Sequence, residues 1–310
     1  MRLISDAAVG PGRWAVILAG GDGMRLRSFT RRITGDERPK QFCPVIGGHT
    51  LLEQTWRRSA MAVPPERTLI VVTRKHERFY RPILADLGAR HVVVQPENRG
   101  TAAGILYPLL RLAALAPAAA VAVFPSDHHV SDEARFMAHV DSAFDALATY
   151  PQRVLLLGIA PDTHETEYGW IEPGELLPGP GRSGLYEVER FWEKPEPALA
   201  EMLRDRGCYW NSFVIVARVP ALLALIRSAT PDLCDDLHGI GPALGTPSEA
   251  AAVEAIYASL TPADFSREIL SARPGRLAIL PVGGVVWSDL GSPDRVRMTR
   301  QRLEGLAAIA

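Results

Sequence analysis

Strand-length apolar runs alternate with helix-length amphipathic segments along most of this chain, and that alternation limits the fold more than any other feature. Trp14–Ala19, Thr68–Thr73, His91–Gln95, Ala120–Phe124, Val154–Ile159, Leu185–Trp192, Ser212–Ala217 and Arg276–Pro281 read as strands. Between them Leu51–Met61, Glu77–Leu87, Thr101–Ala116, Asp132–Thr149 and Pro197–Arg206 read as helices, most of them opened by Thr, Asp or Pro. The pattern predicts an α/β protein, a Rossmann-like, mostly parallel mixed sheet with helices on both faces. Through Phe124 the sheet reads as doubly wound. Past Val154 the strands crowd together, with Gly and Pro gathered in Pro173–Gly184, which predicts antiparallel additions. Val219 to Tyr257 turns helical and alanine-rich. No repeat or linker divides the sequence, so the expectation is a single domain over residues 1–310. Its core spans about 13–219, and 220–310 adds a helical segment, a closing strand and a final Asp289 motif.

Composition narrows the function classes. The 310 residues are 47% hydrophobic and 22% charged, with a formal net charge of −1. That balance suits a globular chain and offers no global attraction to nucleic acid or anionic membrane, so an anionic ligand has to be held locally. The most apolar stretch, Leu106–Phe124, is interrupted by Pro108, Arg111 and Pro117 and cannot span a bilayer. Trp14–Ala19 runs into glycines and basic residues without a cleavage site, so it reads as a buried strand and not as part of a signal peptide. Cys43, Cys208 and Cys234 are widely spaced and odd in number, which suits a reducing cytoplasm and forms no metal-ligand pair. Of 34 basic residues only Lys40, Lys75 and Lys194 are lysines.

The strongest local signal is Gly20-Gly21-Asp22-Gly23-Met24-Arg25-Leu26, directly after the first strand and followed by Arg38-Pro39-Lys40-Gln41-Phe42. Glycines after a strand let backbone N–H groups converge on an anion, and the neighbouring cations make that anion a phosphate. Leu26 stands where a dinucleotide fingerprint needs its third glycine, and no Gly-Lys dipeptide exists for a Walker loop.

At these residues the chain resembles the sugar-phosphate nucleotidyltransferases, whose signature runs Gly-Gly-x-Gly-x-Arg-Leu followed by Pro-Lys. Pro39-Lys40-Gln41-Phe42 is most similar to the mannose-1-phosphate guanylyltransferases. Further landmarks follow in order: Gln95–Thr101, Phe124-Pro125-Ser126-Asp127-His128, Glu167-Tyr168-Gly169-Trp170-Ile171, Phe191-Trp192-Glu193-Lys194-Pro195, Tyr209-Trp210-Asn211-Ser212 and Trp287-Ser288-Asp289-Leu290-Gly291-Ser292. The resemblance implies the nucleotidyltransferase fold and transfer of a nucleotidyl group from a nucleoside triphosphate, GTP foremost, to a hexose 1-phosphate, mannose 1-phosphate foremost. Another base or sugar, or a catalytically silent homologue that binds a nucleotide sugar, stays open as the alternative.

Each landmark also has a chemical reading. Asp127 follows a strand at the carboxyl end of the sheet, where open α/β sheets place ligands, and a carboxylate there can bind Mg²⁺. Asp289 would supply a second oxygen. Lys40 and Lys194 each adjoin a proline in a chain that otherwise uses arginine, which points to compact ammonium groups on phosphate. Ala19, Gly20, Gly21, Gly23, Ser126 and Arg25 are expected to cradle the triphosphate, with Gln95 and Thr101 beside the base. Glu193 and Asn211 suit sugar hydroxyls. Tyr168 and Gly169 lie beside them, with Lys194 on the sugar phosphate.

Three further readings concern residues outside those roles. Lys75 reads as solvated, and His128 as a satisfied, partly buried histidine. Arg27-Ser28-Phe29 departs from the family's Trp-Pro-Leu, and Thr30–Arg38 reads as a lengthened loop. Asn98-Arg99-Gly100-Thr101 departs from its Arg-Asn-Thr, and Ser266-Arg267-Glu268-Ile269 stands where relatives carry Asp-Tyr. The chain ends soon after Asp289, so no appended isomerase domain or β-helix is expected. The substrates are small molecules; a homo-oligomer is compatible with the sequence.

Overall fold

The computed structural model describes residues 12–178 and 184–307. Its strands in chain order are β1 (Arg13–Leu18), β2 (Thr68–Thr73), β3 (Val92–Gln95), β4 (Ala120–Pro125), β5 (His129–Val130), β6 (Val154–Ile159), β7 (Gly169–Leu176), β8 (Tyr186–Glu193), β9 (Tyr209–Arg218), β10 (Leu277–Val282) and β11 (Trp287–Ser288). Nine of these form one sheet in the order β3-β2-β1-β4-β9-β6-β10-β8-β7, while β5 and β11 pair separately.

The first four strands are parallel, and β4 lies beside β1 on the side opposite β2. The strand order therefore reverses between β1 and β4, which opens a crevice at their carboxyl ends, where open α/β sheets bind ligands. The expected antiparallel additions are β9, inserted against both β4 and β6, and the β7–β8 hairpin. Alternate side chains of β1 enter different cores: Trp14 and Val16 one, Ala15 and Ile17 the other. The sheet is covered on both faces, hence the continuous apolar runs.

Several helix ends follow directly from side-chain chemistry. Thr50 and Glu53 form a reciprocal capping box before Leu51–Ser59, and Asp132 caps Glu133–Ala146 through the Arg135 N–H. The short strands β5 and β11 are not among those read from sequence, and two longer elements also differ from expectation. The lengthened loop begins as a helix, Arg27–Thr34, ended by Gly35 in the left-handed conformation (φ 78°). Its apolar residues are too few to show the period that marks a helix. β7 is not among the strands read from sequence, because Pro173 and Gly174 break the strand pattern; the ladder with β8 accommodates them by shifting register around Pro173. Among the described residues no helix is long and apolar enough to cross a membrane.

Candidate active site

The β1–β4 crevice continues into a cavity of about 300 Å³ bounded on its far side by β7, β8 and β9. Twelve of the residues singled out from sequence line it: Gly20, Gly21, Arg25, Thr101, Ser126, Asp127, Tyr168, Gly169, Glu193, Lys194, Asn211 and Asp289. Gly23 and Lys40 line an adjoining cavity of about 230 Å³ that shares Arg25 and Asp127 with the first. Ala19 and Gln95 are buried behind the glycine loop and line neither.

The glycine loop is held from below through its carbonyls. The Gln41 amide donates to the Ala19 and Gly21 carbonyls at 3.0 and 2.7 Å, and the Thr73 hydroxyl donates to Gly20 O at 2.8 Å. With those carbonyls tied back, the loop is free to turn N–H groups toward a ligand. A Cβ on Gly20 would meet the Gln95 amide at 2.8 Å, whereas one on Gly21 meets nothing within 4 Å. Gly20 is thus required by packing, and Gly21 faces open space. Gln95 is fixed in turn by the Tyr257 hydroxyl, which donates to its Oε1 at 3.1 Å. Lys75 is exposed, as its polar surroundings in sequence suggested, but it is not without a partner. It pairs with Asp22 of the loop at 2.5 Å, across more than fifty residues of chain.

On the β4 side, the Ser126 hydroxyl donates to the Leu18 carbonyl at 2.7 Å and joins the ends of β1 and β4. Lys40 is buried. Its ammonium lies 3.2 Å from Asp127 Oδ2 and donates to the backbone carbonyls of Asp289 and, at 3.4 Å, Leu290. One ammonium therefore gathers both aspartates. Asp289 is partly buried, which raises a carboxyl pKa, but Lys40 and Arg295 outweigh that and hold it below the usual carboxylate value. His128 packs edge-on against Trp287, and burial depresses its pKa. Its Nδ1 is buried without a hydrogen-bond partner, so the expectation of a satisfied histidine does not hold for that atom. Arg25 pairs with Glu167 at 2.8 Å across the cavity mouth, both half exposed. Such a pair yields readily to an anion.

Register builds the opposite wall. Gly169 stands opposite Glu193 and Trp170 opposite Trp210, so the starts of β7 and β9 meet the end of β8. A Cβ on Gly169 would lie 2.8 Å from the Phe191 ring and 3.1 Å from the Glu193 carboxylate. Burial, with Asp264 nearby, raises the pKa of Glu193. Asn211 Oδ1 accepts from Phe213 N–H at 3.0 Å, and Lys194 N–H donates to the Tyr168 carbonyl at 3.1 Å. Lys194 and Phe213 have φ of 49° and 61°, and Leu290 after Asp289 has 49°; these are the described non-glycine residues with positive φ. All three adjoin the cavity, where backbone strain commonly collects.

Sequence reading assigned no role to Gln41, Glu167 or Ser266, which it quoted only within motifs, and passed over Phe213 and Asp264; all five line the cavity. Gln41 carried a signal, since it lies inside Pro39–Phe42. So did Asp264: the pair sought at Ser266–Ile269 has a counterpart upstream in Asp264-Phe265, where Asp264 caps the turn Phe265–Leu270 through Arg267 N–H. Thr101 takes part as well, its hydroxyl accepting from Phe265 N–H at 2.8 Å.

The donor set suits a hard divalent cation. Asp127 and Asp289 are two carboxylates on one cavity, and Mg²⁺ is commonly bound by one or two carboxylates plus substrate phosphates. Among the described residues no group of three or more His, Cys, Asp or Glu is poised for a metal, so a dedicated protein cage is not what these residues build.

Comparison with known proteins bears on the family and the fold. The xanthan biosynthesis protein XanB of Xanthomonas campestris is 30% identical over 280 residues, 89% of this chain and 57% of its own length. Mannose-1-phosphate guanylyltransferase of Escherichia coli K12 is 27% identical over 284 residues, 90% of this chain and 58% of its own. The chain thus spans somewhat over half the length of these curated relatives. A crystal structure from Thermus thermophilus, described as a mannose-1-phosphate geranyltransferase, superposes with a TM-score of 0.75 at 30% identity, covering 90% of this chain and 76% of that one. A putative glucose-1-phosphate thymidylyltransferase from Bacillus anthracis, 16% identical with a TM-score of 0.58 over 95% of both chains, shares the fold. The sequence pattern of the nucleotidyl transferase family matches residues 14–304, so the chain belongs to that family.

Proposed function

We propose that the protein transfers a guanylyl group from GTP to mannose 1-phosphate, releasing pyrophosphate and forming GDP-mannose, in the cytoplasm. The observation that carries this reading is the convergence, on one cavity, of a carbonyl-anchored glycine loop, two aspartates and the Tyr168, Glu193, Lys194 and Asn211 wall. The relatives named for guanylyl transfer to mannose 1-phosphate supply the choice of base and sugar.

The reaction is an in-line displacement. An oxygen of the sugar phosphate bonds to the α-phosphorus, the bond from that phosphorus to the β-bridging oxygen breaks, and pyrophosphate leaves. The attacking oxygen is already an anion, so no general base is needed, and catalysis consists of alignment and charge neutralisation. Gly20, Gly21 and Gly23 cradle the triphosphate. Arg25 leaves Glu167 for it and Thr101 flanks the base, while Gln95 backs the glycine loop from behind Gly20. Lys194 holds the sugar phosphate, while Glu193 and Asn211 take sugar hydroxyls. Lys40 acts from beneath Asp127, balancing its charge and keeping both aspartates in place. Asp127 and Asp289 would hold Mg²⁺, which neutralises phosphate charge when bound.

The test is pyrophosphate release from each of the four nucleoside triphosphates against several hexose 1-phosphates. GTP with mannose 1-phosphate should give the highest kcat/KM. Preference for another pair overturns the base or the sugar. No release with any pair, together with tight binding of a nucleotide sugar, would instead favour a silent binding homologue.

A further inference from the structure

Asp289 does not face the cavity as a bare carboxylate. Its Oδ1 accepts from Tyr168 OH at 3.1 Å, from Gly291 N–H at 2.9 Å and from the Arg295 guanidinium at 2.6 Å. Three donors on one oxygen leave Oδ2 as its main open acceptor. Arg295 is no surface side chain that happened to reach inward. Its side chain is 14% exposed, its guanidinium lies over the Tyr168 ring at 4.8 Å, and its Nε faces Glu165 at 3.7 Å. Its backbone is equally fixed, in the first turn of the helix Pro293–Ala307, where its N–H donates to Ser292 Oγ and its carbonyl accepts from Thr299. Asp127 has its own cation in Lys40. The two carboxylates available to a divalent ion are therefore already matched by two fixed positive charges.

We propose that Arg295 is a built-in counter-ion that prevents Asp289 from capturing a divalent cation on its own, so that the ion enters only together with a nucleoside triphosphate. Without nucleotide, a dication approaching Asp127 and Asp289 would meet each carboxylate already paired with a fixed cation, so these two groups together offer it no net negative charge. With nucleotide, the triphosphate supplies that charge and also the oxygen ligands that the two aspartates lack. The proposal rests on the reading of Asp127 and Asp289 as cation ligands, and its test keeps the two separable.

The test is titration of Mn²⁺ into the nucleotide-free protein, following the paramagnetic signal of the free ion. The variants are Arg295→Met, which removes the charge, Arg295→Gln, which keeps a donor toward Asp289, and Arg295→Lys, which keeps the charge. Far-UV circular dichroism checks that each is folded. Met and Gln should bind Mn²⁺ on the order of tenfold more tightly than wild type or more, the size of effect one neighbouring charge has on a carboxylate's proton. Lys should remain close to wild type. With a non-hydrolysable triphosphate present, the gap between wild type and Met should narrow. Equal Mn²⁺ affinity in wild type, Met and Gln, or tighter binding by wild type, overturns the proposal. If adding Asp127→Asn or Asp289→Asn to the Met variant leaves Mn²⁺ affinity unchanged, the failure lies instead with the reading of the aspartates as ligands.

Discussion

The cavity wall built by β1 and β4 is held by side chains tied to backbone carbonyls, whereas the wall built by β7, β8 and β9 is held by register and by strained backbone. In the first, Gln41, Thr73 and Ser126 bind the carbonyls of Leu18, Ala19, Gly20 and Gly21. In the second, Phe213 takes its positive φ within the irregular stretch of the β6–β9 ladder, and Lys194 takes its own just past the end of β8, where its N–H donates to the Tyr168 carbonyl. A phosphate chain presents the same oxygens in any nucleotide, so a loop fixed by short-range hydrogen bonds suffices to meet it. A sugar is distinguished by the directions of its hydroxyls, which asks for side chains brought from separate strands and locked at set angles.

Substitutions separate the two walls, starting where they meet. Asp127→Asn and Asp289→Asn should each cut turnover by orders of magnitude while the fold survives, because the amide keeps the shape and loses the charge. Full activity in either at limiting Mg²⁺ rules out its role. Lys40→Ala should lower kcat roughly a hundred- to a thousandfold, about 3–4 kcal/mol of the barrier. It should also destabilise the fold by about 2–3 kcal/mol, since a buried ammonium's partners lose a charged donor. A fall in kcat with unchanged urea stability would place Lys40 on substrate rather than beneath Asp127.

Within the first wall, Gly20→Ala should destabilise by about 1–3 kcal/mol, because its Cβ collides with Gln95 and Thr73. Gly21→Ala should leave thermal stability alone and raise KM for the triphosphate. Equal behaviour of the two would break the distinction between a packing glycine and a ligand-facing one. Within the second wall, Lys194→Ala should raise KM for the sugar phosphate more than it lowers kcat. Lys194→Gly should share that kinetic defect yet be more stable than Lys194→Ala by about 1 kcal/mol, since glycine accepts φ of 49° without strain. If Lys194→Ala weakens the triphosphate more than the sugar phosphate, the assignment of walls is wrong.

The smallest effect concerns Glu193. Its pKa in the folded protein is raised above the ordinary 4.5, so the folded state holds that proton more tightly than the unfolded chain does. Its favourable contribution is complete below the ordinary glutamate pKa and is lost as pH rises through the raised value. Glu193→Gln should therefore gain stability relative to wild type over that rise. A pH-independent difference in denaturation midpoint would contradict it.

The sequence by itself determined the α/β class, the parallel β1–β4 half and the positions of the glycine loop, Asp127 and Asp289. Each depends on chemistry local to a few residues: apolar runs buried on both faces, glycines directly after a strand, a carboxylate at a strand end. The tertiary structure alone decided what those groups touch. Lys75 is exposed as its sequence suggests, yet it pairs with Asp22, more than fifty residues away, and Lys40 sits against Asp127 and the Asp289 carbonyl, both distant in sequence. β7 went unread as a strand, since Pro173 and Gly174 contradict a strand unless β8 shifts register to take them. Arg295 gave no signal among 31 arginines; only the helix that follows Asp289 turns it back onto that carboxylate, because contact between side chains is fixed by how elements pack and leaves no local trace.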